Sequence, residues 1–327
     1  MRVALLALGL LWGGTALAVE VALGGDCLLG RGVSRRAARE ARSLPQRAGR
    51  ARREDTAGWS GLLAGAAALL RTADLAIVNL ESPLAPCLAG GDLARPRLCG
   101  DPRGLAALRG AGIDAVTLAN NHALDAGAAG LRATARLLRE SGIVPLGLTA
   151  ALTGRPRPER VGSITVVAAS LTPAAHQPGS KVPATPPVAL ARAVRLGLRL
   201  WPGRPVLVLL HGGREMDRQA GPREAPHIRA AVLAGASAVA MHGAHVVRRL
   251  YCEPKRAGGC VPVHLGLGNL LFDQREEIAR LGALLVLQLD GTGPARVRET
   301  ACVDATRGAI RPCARPRPGG SQTGAER

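Results

Sequence analysis

Side chains of the kinds that bind metal ions follow several apolar segments of this sequence, one segment after another. They are carboxylates, carboxamides and imidazoles: Asp26, Glu81, the run Asn120-Asn121-His122, His211, His242 and His245. Carboxylate, imidazole and amide oxygen together suit borderline metals such as Zn, Mn or Fe. An ion of this kind polarises a phosphoryl or carbonyl oxygen and lowers the pKa of a bound water toward neutrality. The set therefore predicts a divalent-metal site suited to hydrolysis.

Each of these residues has a plainer interpretation when it is taken alone. An Asp after two glycines is common in turns and helix caps, and Asn120-Asn121 is typical of a turn. Glu81 can simply end a strand, and a single histidine is often a satisfied polar residue. The order of the whole set favours a shared site, because four of the seven histidines fall within it. The remaining histidines, His176, His227 and His264, lie in ordinary surroundings.

The apolar segments alternate with stretches rich in Ala, Leu and Arg. Buried strands are predicted over 19–24, 75–79, 115–118, 164–169, 206–210, 238–241 and 261–265. Helices are predicted over 61–71, 102–110, 130–141 and 226–233, and a hairpin over 283–290 and 295–303. Such alternation indicates an α/β fold. Because the C-terminal ends of its strands share one edge, that edge would gather the polar side chains.

The first eighteen residues have the features of an export signal. Arg2 supplies a short positive region, residues 3–12 form an apolar core, and Ala16-Leu17-Ala18 offers small residues for cleavage after Ala18. An uncleaved anchor is the alternative. Both interpretations place the folded chain outside the cytoplasm, in the periplasm or at the cell surface. We therefore expect a signal peptide over 1–18 and a single domain over 19–303.

The seven cysteines include three pairs of near neighbours in the sequence. In an oxidising compartment they predict three short-loop disulfides, Cys87–Cys99, Cys252–Cys260 and Cys302–Cys313. Each would contribute on the order of 2–3 kcal/mol in the chain-entropy description. Zinc knuckles are the competing interpretation, but the sequence has no Cys-x-x-Cys pair. The remaining Cys27 is favoured as a buried small apolar residue over a free thiol beside the metal.

The formal net charge of +19 is carried almost entirely by arginine. It favours an anionic polymer as partner, although an Arg-rich composition is also what a G+C-rich genome encodes. Nucleic acid is not expected, because the 2% aromatic content offers almost no platform for stacking bases. An Arg-rich insertion over 31–58 is predicted to be a solvated helix or a mobile loop. After 303 we expect a tail that is first tethered by a disulfide and, from 314 onward, disordered.

Six blocks of the sequence resemble the bacterial capsule-synthesis CapA family, in the same order and over roughly residues 20–290. The blocks are Gly25-Asp26-Cys27-Leu28-Leu29-Gly30-Arg31-Gly32, Asn79-Leu80-Glu81-Ser82-Pro83-Leu84, Ala119-Asn120-Asn121-His122 continuing to Asp125-Ala126-Gly127, His211-Gly212-Gly213-Arg214-Glu215, His242-Gly243-Ala244-His245-Val246, and Gly266-Leu267-Gly268-Asn269-Leu270-Leu271-Phe272-Asp273-Gln274. This family is a branch of the metallophosphatase-like, or calcineurin-like, superfamily. The resemblance therefore implies a layered α/β/β/α sandwich.

The resemblance also implies a role for each matching polar residue. The implied metal ligands are Asp26, Glu81, Asn121, His211, His242 and His245. His122 would be a proton donor or a stabiliser of the transition state, with Asn121 beside it. The implied supporting or substrate-facing residues are Asn120, Asp125, Glu215, Arg31 and Asn269.

The sequence departs from the family pattern at three positions of these blocks. Leu28 stands where metallophosphatases usually carry a histidine, Gly243 replaces a second histidine, and Gly212 replaces a tryptophan. The number of ions therefore stays open, with one, two or none compatible with the sequence. The expected cofactor is Mn, Zn or Fe.

Three functions stay open on this basis. The first is a metal-dependent phosphodiesterase or other hydrolase in the synthesis or export of an anionic cell-surface polymer of the poly-γ-glutamate type. Envelope or capsule-export proteins would be its partners. The second is a non-catalytic binder that holds an acidic polymer on the Arg-rich segment. The third is a structural envelope protein that retains a relic of the site.

Overall fold

The computed structural model describes residues 18–43, 51–88, 97–177, 180–219, 221–256, 258–306 and 309–311. Its first sheet has eight strands. These strands are β1 Val19–Cys27, β2 Leu75–Leu80, β3 Ala115–Thr117, β4 Val144–Leu146, β13 Asn269–Leu271, β14 Leu281–Leu289, β15 Arg296–Asp304 and β16 Ala309–Arg311. The order across the sheet is β16-β15-β14-β1-β2-β3-β4, and β13 pairs with β1. Strands β1 to β4 are parallel, and β14 to β16 are antiparallel at one side.

The second sheet has six strands. They are β5 Pro158–Val161, β6 Ile164–Ser170, β9 Val206–His211, β10 Ala238–His242, β11 Leu250–Pro254 and β12 Cys260–His264. Their order across the sheet is β11-β12-β10-β9-β6-β5. The four central strands are parallel and the two edge strands antiparallel. A separate two-stranded ribbon joins β7 Ala174–Gln177 to β8 Ser180–Val182.

Helices lie on the outer faces of both sheets. They are α1 Arg31–Ser43, α2 Ala51–Ser60, α3 Ala64–Leu70, α4 Leu105–Ala111, α5 Gly127–Glu140, α6 Leu148–Thr153, α7 Pro187–Leu200 and α8 Glu224–Ala234. Two short 3₁₀ turns span Pro102–Gly104 and Glu277–Ala279. Within the described ranges given above, no helix is long and apolar enough to cross a membrane.

Three layers of buried apolar side chains hold these elements together. Between the sheets, Leu23 and Ile77 of the first sheet pack with Val166 and Leu207 of the second. The outer face of the first sheet packs against α1 to α5, and the outer face of the second against α7 and α8. Sheets with one helix layer on each outer face form an α/β/β/α sandwich. The predicted fold class and layering are therefore confirmed.

All seven predicted strands and the hairpin correspond to strands of the structure. The long helix α7 was not predicted, although its buried residues Leu190, Ala191, Val194 and Gly197 recur at helical spacing. The short strands β4, β5, β7, β8, β11, β13 and β16 were also not predicted. The predicted helix over 61–71 begins only at Ala64, because the residues before it form turns.

The Arg-rich segment predicted as an insertion contains α1 and most of α2. Val33 and Ala37 on α1 are buried in the core beneath the helix. At Gly58 a Cβ would lie 1.9 Å from the Ala37 carbonyl oxygen, so the two helices cross in close contact. Over 31–43 the segment is therefore a packed helix with one solvated face, and a mobile loop is not observed there.

The predicted domain limits can be compared with the first and last residues that the structure describes. The predicted signal peptide, apart from Ala18, and the predicted disordered tail from 314 lie outside the described residues. The first sheet continues through β16 to Arg311, eight residues past the expected domain end at 303.

Two of the three predicted disulfides are seen directly. Cys87 pairs with Cys99 and Cys252 with Cys260, with Cα–Cα distances of 5.6 and 5.4 Å. Cys302 is also disulfide-bonded, and its predicted partner, Cys313, lies outside the described residues. The remaining Cys27 is a buried free thiol whose pKa is raised, first by burial and then by the charges of Asp26 and Glu81.

Candidate metal centre

Strand ends from both sheets bring the predicted ligands to one place. Asp26 lies near the end of β1, Glu81 follows β2 directly, and His211 and His242 end β9 and β10. His211 and His242 are also register partners on neighbouring parallel strands. The carboxylates come from the first sheet and the imidazoles from the second, so the site lies where the two sheets meet. The sequence predicted one shared edge, and the structure forms it from two sheets.

Five buried side chains form what we call the ligand cluster: Asp26, Glu81, His211, His242 and His245. Three ligand atoms lie within 4.8 Å of one another, one each from Asp26, Glu81 and His211. Glu81 Oε1 is 3.5 Å from His211 Nε2 and 3.7 Å from His245 Nε2. Asp26 Oδ1 is 3.5 Å from His242 Nδ1, and Asp26 Oδ2 is 3.3 Å from His245 Nδ1. The His245 ring therefore lies between the two carboxylates.

Two asparagines tie the ligand cluster to the first sheet. Asn79 donates from Nδ2 to Asp26 Oδ1 at 2.8 Å, and the same nitrogen lies 3.3 Å from His211 Nδ1. Asn120 donates to Asn79 Oδ1 at 3.1 Å and to the Leu80 carbonyl oxygen at 2.9 Å. Asn120 therefore supports the cluster through Asn79 and through the backbone directly before Glu81.

The loop after β10 fixes the other side of the Asp26 carboxylate. The Gly243 N–H donates to Asp26 Oδ2 at 3.0 Å, and its φ of +93° explains the glycine where the family pattern has histidine. His245 itself has a left-handed φ of +58°. Its Nδ1 donates to Asn269 Oδ1 at 2.9 Å, so Asn269 orients the ring. Second partners of this kind fix the orientation of metal-binding imidazoles.

Asn121 and His122 extend from the cluster toward the surface. Asn121 Oδ1 accepts a hydrogen bond from His211 Nε2 at 2.7 Å. His122 Nδ1 donates to Asp125 Oδ2 at 2.8 Å, and the His122 side chain keeps 18% of its surface exposed. Burial lowers the pKa of His122, but the hydrogen bond to Asp125 and the charge of Glu81 outweigh it, so the net shift is upward. We call His122 and Asp125 the proton-donor pair, after the role that the sequence resemblance predicts for His122.

Burial and neighbouring charges together shift the pKa values of the ligand-cluster residues. Burial raises the pKa of Asp26, but His242 and His245 outweigh it and hold that pKa well below its usual value. For Glu81, burial dominates and the pKa is raised. Burial lowers the pKa of His245, but Glu81 and Asp26 bring it to about 10. Burial, opposed by the charge of Asp26 and reinforced by the neighbouring histidines, lowers the pKa of His211 to about 3. The cluster thus favours one positive charge between its two carboxylates.

Two buried polar atoms of the ligand cluster lack hydrogen-bond partners in the part of the chain that the structure describes. Within the described residues, neither Glu81 Oε2 nor His242 Nδ1 makes a hydrogen bond. A buried polar atom without a partner costs about 1–3 kcal/mol, and more for a charged group. A cation coordinated by these atoms would remove that cost and would supply the positive charge that the carboxylates favour. The residues present therefore fit a divalent ion.

Two of the predicted supporting residues lie apart from the ligand cluster. The Arg31 guanidinium pairs with Asp273 at 3.0 Å, and Asp273 also accepts the Gly32 N–H at 2.8 Å. The Arg31 side chain is therefore directed to Asp273 and orients the start of α1. Glu215 is exposed, and its charge contributes to raising the pKa of Glu81. Its position in the loop after β9 is compatible with a substrate-facing role.

Several residues of the site were missed by the sequence analysis. Asn79 was quoted in a block but given no role, although it precedes Glu81 by two positions, and residues two apart on a strand share a face. His264 was placed in ordinary surroundings, and this prediction is wrong. It is buried at the end of β12, and burial, followed by the charge of His242, lowers its pKa to about 4. It ends a strand, as His211 and His242 do.

A buried ion pair outside the ligand cluster holds the loop after β9. Arg248 Nη1 pairs with Glu224 Oε1 at 2.8 Å, and both side chains are almost completely buried. The same guanidinium donates from Nε to the Asp217 carbonyl oxygen at 2.7 Å and from Nη2 to that of Arg214 at 3.0 Å. This pair therefore fixes the loop that carries Glu215.

Leu28, at the position where the pattern used in the sequence analysis has a histidine, has an apolar role. It packs with Leu98 and Phe272 in a small buried cluster. The Phe272 ring lies 4.8 Å from the His245 ring, measured between centroids. The apolar cluster therefore borders the ligand cluster on the side of His245, and Leu28 supplies packing rather than a ligand.

Comparison with known proteins gives a family and several solved structures of similar fold, two of which are described below. No curated protein matches the chain. The fold is similar to that of the NAD nucleotidase NadN of Haemophilus influenzae, with a TM-score of 0.47 and 13% sequence identity. The similarity covers 88% of this chain and 50% of NadN, so this chain spans about half the length of NadN. It is also similar to that of the protein TT1561 of Thermus thermophilus, with a TM-score of 0.40 and 11% sequence identity. This similarity covers 84% of this chain and 99% of TT1561. Residues 20–274 match the family described as bacterial capsule synthesis protein PGA_cap, and the chain belongs to that family.

Proposed function

We propose that this member of the capsule-synthesis family is a metal-dependent hydrolase acting on a phosphoester of an anionic cell-surface polymer or its precursor. The observation that carries the proposal is the buried set of Asp26, Glu81 and His211, whose ligand atoms lie within 4.8 Å, beside a partly exposed histidine. Glu81 Oε2 and His242 Nδ1, which make no hydrogen bond within the described residues, support an ion rather than a purely structural network.

The ligand cluster would hold the ion, with Asn121 beside it. A bound divalent ion supplies Lewis acidity at a phosphoryl oxygen and makes water more acidic. The chain's own contribution is to exclude bulk water from the cluster and to fix its imidazoles through Asn79 and Asn269. Mn, Zn and Fe fit this donor set, and we propose that the site binds one or two such ions.

His122 would protonate the leaving oxygen. Its Nδ1 is engaged by Asp125, so Nε2 is the nitrogen that would give a proton to the substrate. The raised pKa of His122 favours the protonated form, which general-acid catalysis requires. Asp125 would keep the ring in place and stabilise its positive charge.

Export and an acidic polymer substrate complete the proposal. Disulfides persist in oxidising compartments outside the cytoplasm, so Cys87–Cys99 and Cys252–Cys260 support an exported, periplasmic or cell-surface protein. The net charge of +19 favours an anionic polymer of the poly-γ-glutamate type. Envelope or capsule-export proteins are the expected partners.

A second candidate function is binding of the polymer without catalysis. Arg35, Arg39 and Arg42 are exposed on α1 at spacings of four and three residues, so they share one face of that helix. Such a row would attract carboxylates or phosphates, with affinity that falls steeply with salt.

Metal analysis combined with substrate assays distinguishes the two candidates. We expect about one equivalent or more of transition metal in protein purified without chelator. We also expect hydrolysis of bis(p-nitrophenyl) phosphate above that of a γ-glutamyl anilide. Less than about a tenth of an equivalent of metal would contradict the hydrolase. Loss of polymer binding in Arg35→Ala/Arg39→Ala/Arg42→Ala, with no effect of Asp26→Asn, would favour the binder.

A further inference from the structure

Asp125 is held by two backbone donors from one loop. The Leu98 N–H donates to Asp125 Oδ2 at 2.6 Å, and the Leu88 N–H donates to the Asp125 carbonyl oxygen at 3.2 Å. Oδ2 is also the atom that accepts the hydrogen bond from His122 Nδ1 at 2.8 Å. The position of that carboxylate oxygen, and hence the orientation of the His122 ring, therefore depends on where Leu88 and Leu98 lie.

Both backbone donors lie directly beside a disulfide. Leu88 follows Cys87 and Leu98 precedes Cys99, and these cysteines are cross-linked with a Cα–Cα distance of 5.6 Å. The Arg97 guanidinium also donates to the Leu88 carbonyl oxygen, which links the two sides of the loop a second time. The cross-link thus holds the two amides at a fixed separation, with Asp125 between them.

The same cross-linked ends are anchored toward the ligand cluster. Leu98 is buried against Leu28 and Phe272, and Phe272 packs on the His245 ring. Gly100, next to Cys99, donates its N–H to the Pro83 carbonyl oxygen at 2.7 Å, two residues after Glu81. The loop ends therefore connect the proton-donor pair to the segment directly after β2, which begins with Glu81. Cys87 is exposed, so the disulfide is accessible to a reductant.

We propose that the Cys87–Cys99 disulfide is a positioning element of the active site, which holds Asp125 through the Leu88 and Leu98 amides and thereby orients His122. The catalytic part of this inference rests on the proposed function. Loss of the cross-link frees the two amides to separate, and the proton-donor pair then loses its fixed geometry. Asp26, Glu81, His211 and His242 lie at or next to strand ends, so the metal content should be retained.

The second disulfide provides a matched control. Cys252–Cys260 links the neighbouring antiparallel strands β11 and β12 and closes a loop of similar length, with a sequence separation of 8 against 12. Removal of either disulfide lowers the stability of the chain. Only the removal of Cys87–Cys99 should change the proton-donor pair, and this difference separates a positioning role from a merely stabilising one.

The experiment compares the full-length variants Cys87→Ser/Cys99→Ser and Cys252→Ser/Cys260→Ser with the wild type. We expect kcat on bis(p-nitrophenyl) phosphate to fall at least about tenfold in the first variant, with KM and metal content within about twofold of wild type. We expect hydrogen exchange at the Leu98 amide to accelerate at least about tenfold in the same variant. The control variant should keep kcat and the Leu98 exchange rate.

Reduction of the folded wild type, followed by reoxidation, covers the case in which the first variant does not fold. Turnover and Leu98 protection should fall on reduction and return on reoxidation. An unchanged Leu98 exchange rate, or an equal loss of kcat in both variants, would overturn the inference. If the wild type hydrolyses no substrate, the proposed function fails, and the Leu98 exchange rate alone decides whether the disulfide holds Asp125.

Discussion

The ligand cluster and the proton-donor pair lie side by side, but different kinds of structure hold them. Asp26 and Glu81 are attached to β1 and β2, which pair in parallel within the first sheet, and both side chains are almost completely buried. His122 lies in a turn after β3, is partly exposed, and depends on Asp125 and on a cross-linked loop. One half of the site is thus fixed by the sheets and the other by local contacts.

The difference shows how each half of the site should respond to change. A ligand at a strand end can move only if the sheet deforms, so changes in nearby loops should leave metal binding intact. A proton donor in a turn depends on a few hydrogen bonds, so small local changes should alter turnover while the ion stays bound. Substitutions in each half therefore give distinct patterns of metal content and rate, which can be measured separately.

The largest effect is expected for Asp26→Asn in the ligand cluster. Changes to outer partners of a metal site already weaken affinity by about 10–100-fold, and loss of a charged ligand should exceed that range. Titration of the metal-free variant with Mn²⁺ or Zn²⁺ measures the loss. Glu159→Gln is the control, because Glu159 is a half-buried carboxylate on β5 that accepts the Gly147 N–H. An Asp26→Asn protein with wild-type affinity would remove Asp26 from the ligands.

The second effect is expected for His122→Ala in the proton-donor pair. We expect kcat to fall by about 10²–10⁴-fold, the usual contribution of a general acid, while metal content and the thermal midpoint stay unchanged. The loss should be larger for an alkyl phosphodiester than for a p-nitrophenyl ester, because the poorer leaving group needs the proton more. Equal losses for the two substrates would assign His122 to another role.

A smaller effect is expected for Asn79→Ala, which removes an outer partner of two ligands. Metal affinity should fall by about 10–100-fold, because Asp26 and His211 both lose a contact that orients them. At saturating metal the variant should recover most of its turnover. Gln288→Ala on β14, a half-buried polar residue of the same sheet, is the control. A variant that stays inactive at saturating metal would contradict the separation of the two halves.

The smallest effect concerns acid stability and the buried His264. The unfolded residue has a pKa near 6.5, and the fold lowers it to about 4, first by burial and then through His242. The unfolded chain therefore binds the extra proton between these values. The stabilising contribution is complete above about pH 6.5 and is lost as the pH falls toward 4, by up to about 3 kcal/mol.

The variant His264→Asn should lack this acid-dependent loss. Urea unfolding gives the free energy of unfolding of variant and wild type at pH 7 and at pH 4.5. The loss of stability between these pH values should be larger in the wild type than in the variant. The comparison isolates His264 from the other buried imidazoles, which both proteins share. Parallel pH dependence in the two proteins would show that burial of His264 does not depress its pKa.

Much of the site could be predicted because polar residues stand out against apolar strands. His211 and His242 each end a run of buried aliphatic residues, so their positions are visible without a structure. The partner of Arg31 was not visible, because Asp273 lies 242 positions away in the chain. Contacts between distant segments are set by packing, and a sequence pattern reports only its own segment. The roles assigned to the site residues remain predictions.

The fold was predictable to a similar extent and for the same reason. The central strands are buried on both faces and form continuous apolar runs, so their positions were clear. The short strands at the edges and in the ribbon have few residues and no distinct pattern. The helix α7 was missed because its small apolar residues, such as Ala191 and Gly197, resemble the background of an Ala- and Gly-rich chain.

The placement of Phe272 gives the molecule a natural spectroscopic probe. The chain contains a single phenylalanine, and its ring lies 4.8 Å from that of His245. In an NMR spectrum the signals of this ring do not overlap with those of any other phenylalanine. A paramagnetic ion such as Mn²⁺ at the neighbouring imidazole would broaden these signals, and a diamagnetic ion such as Zn²⁺ would only shift them. Occupancy can therefore be followed in solution without a label.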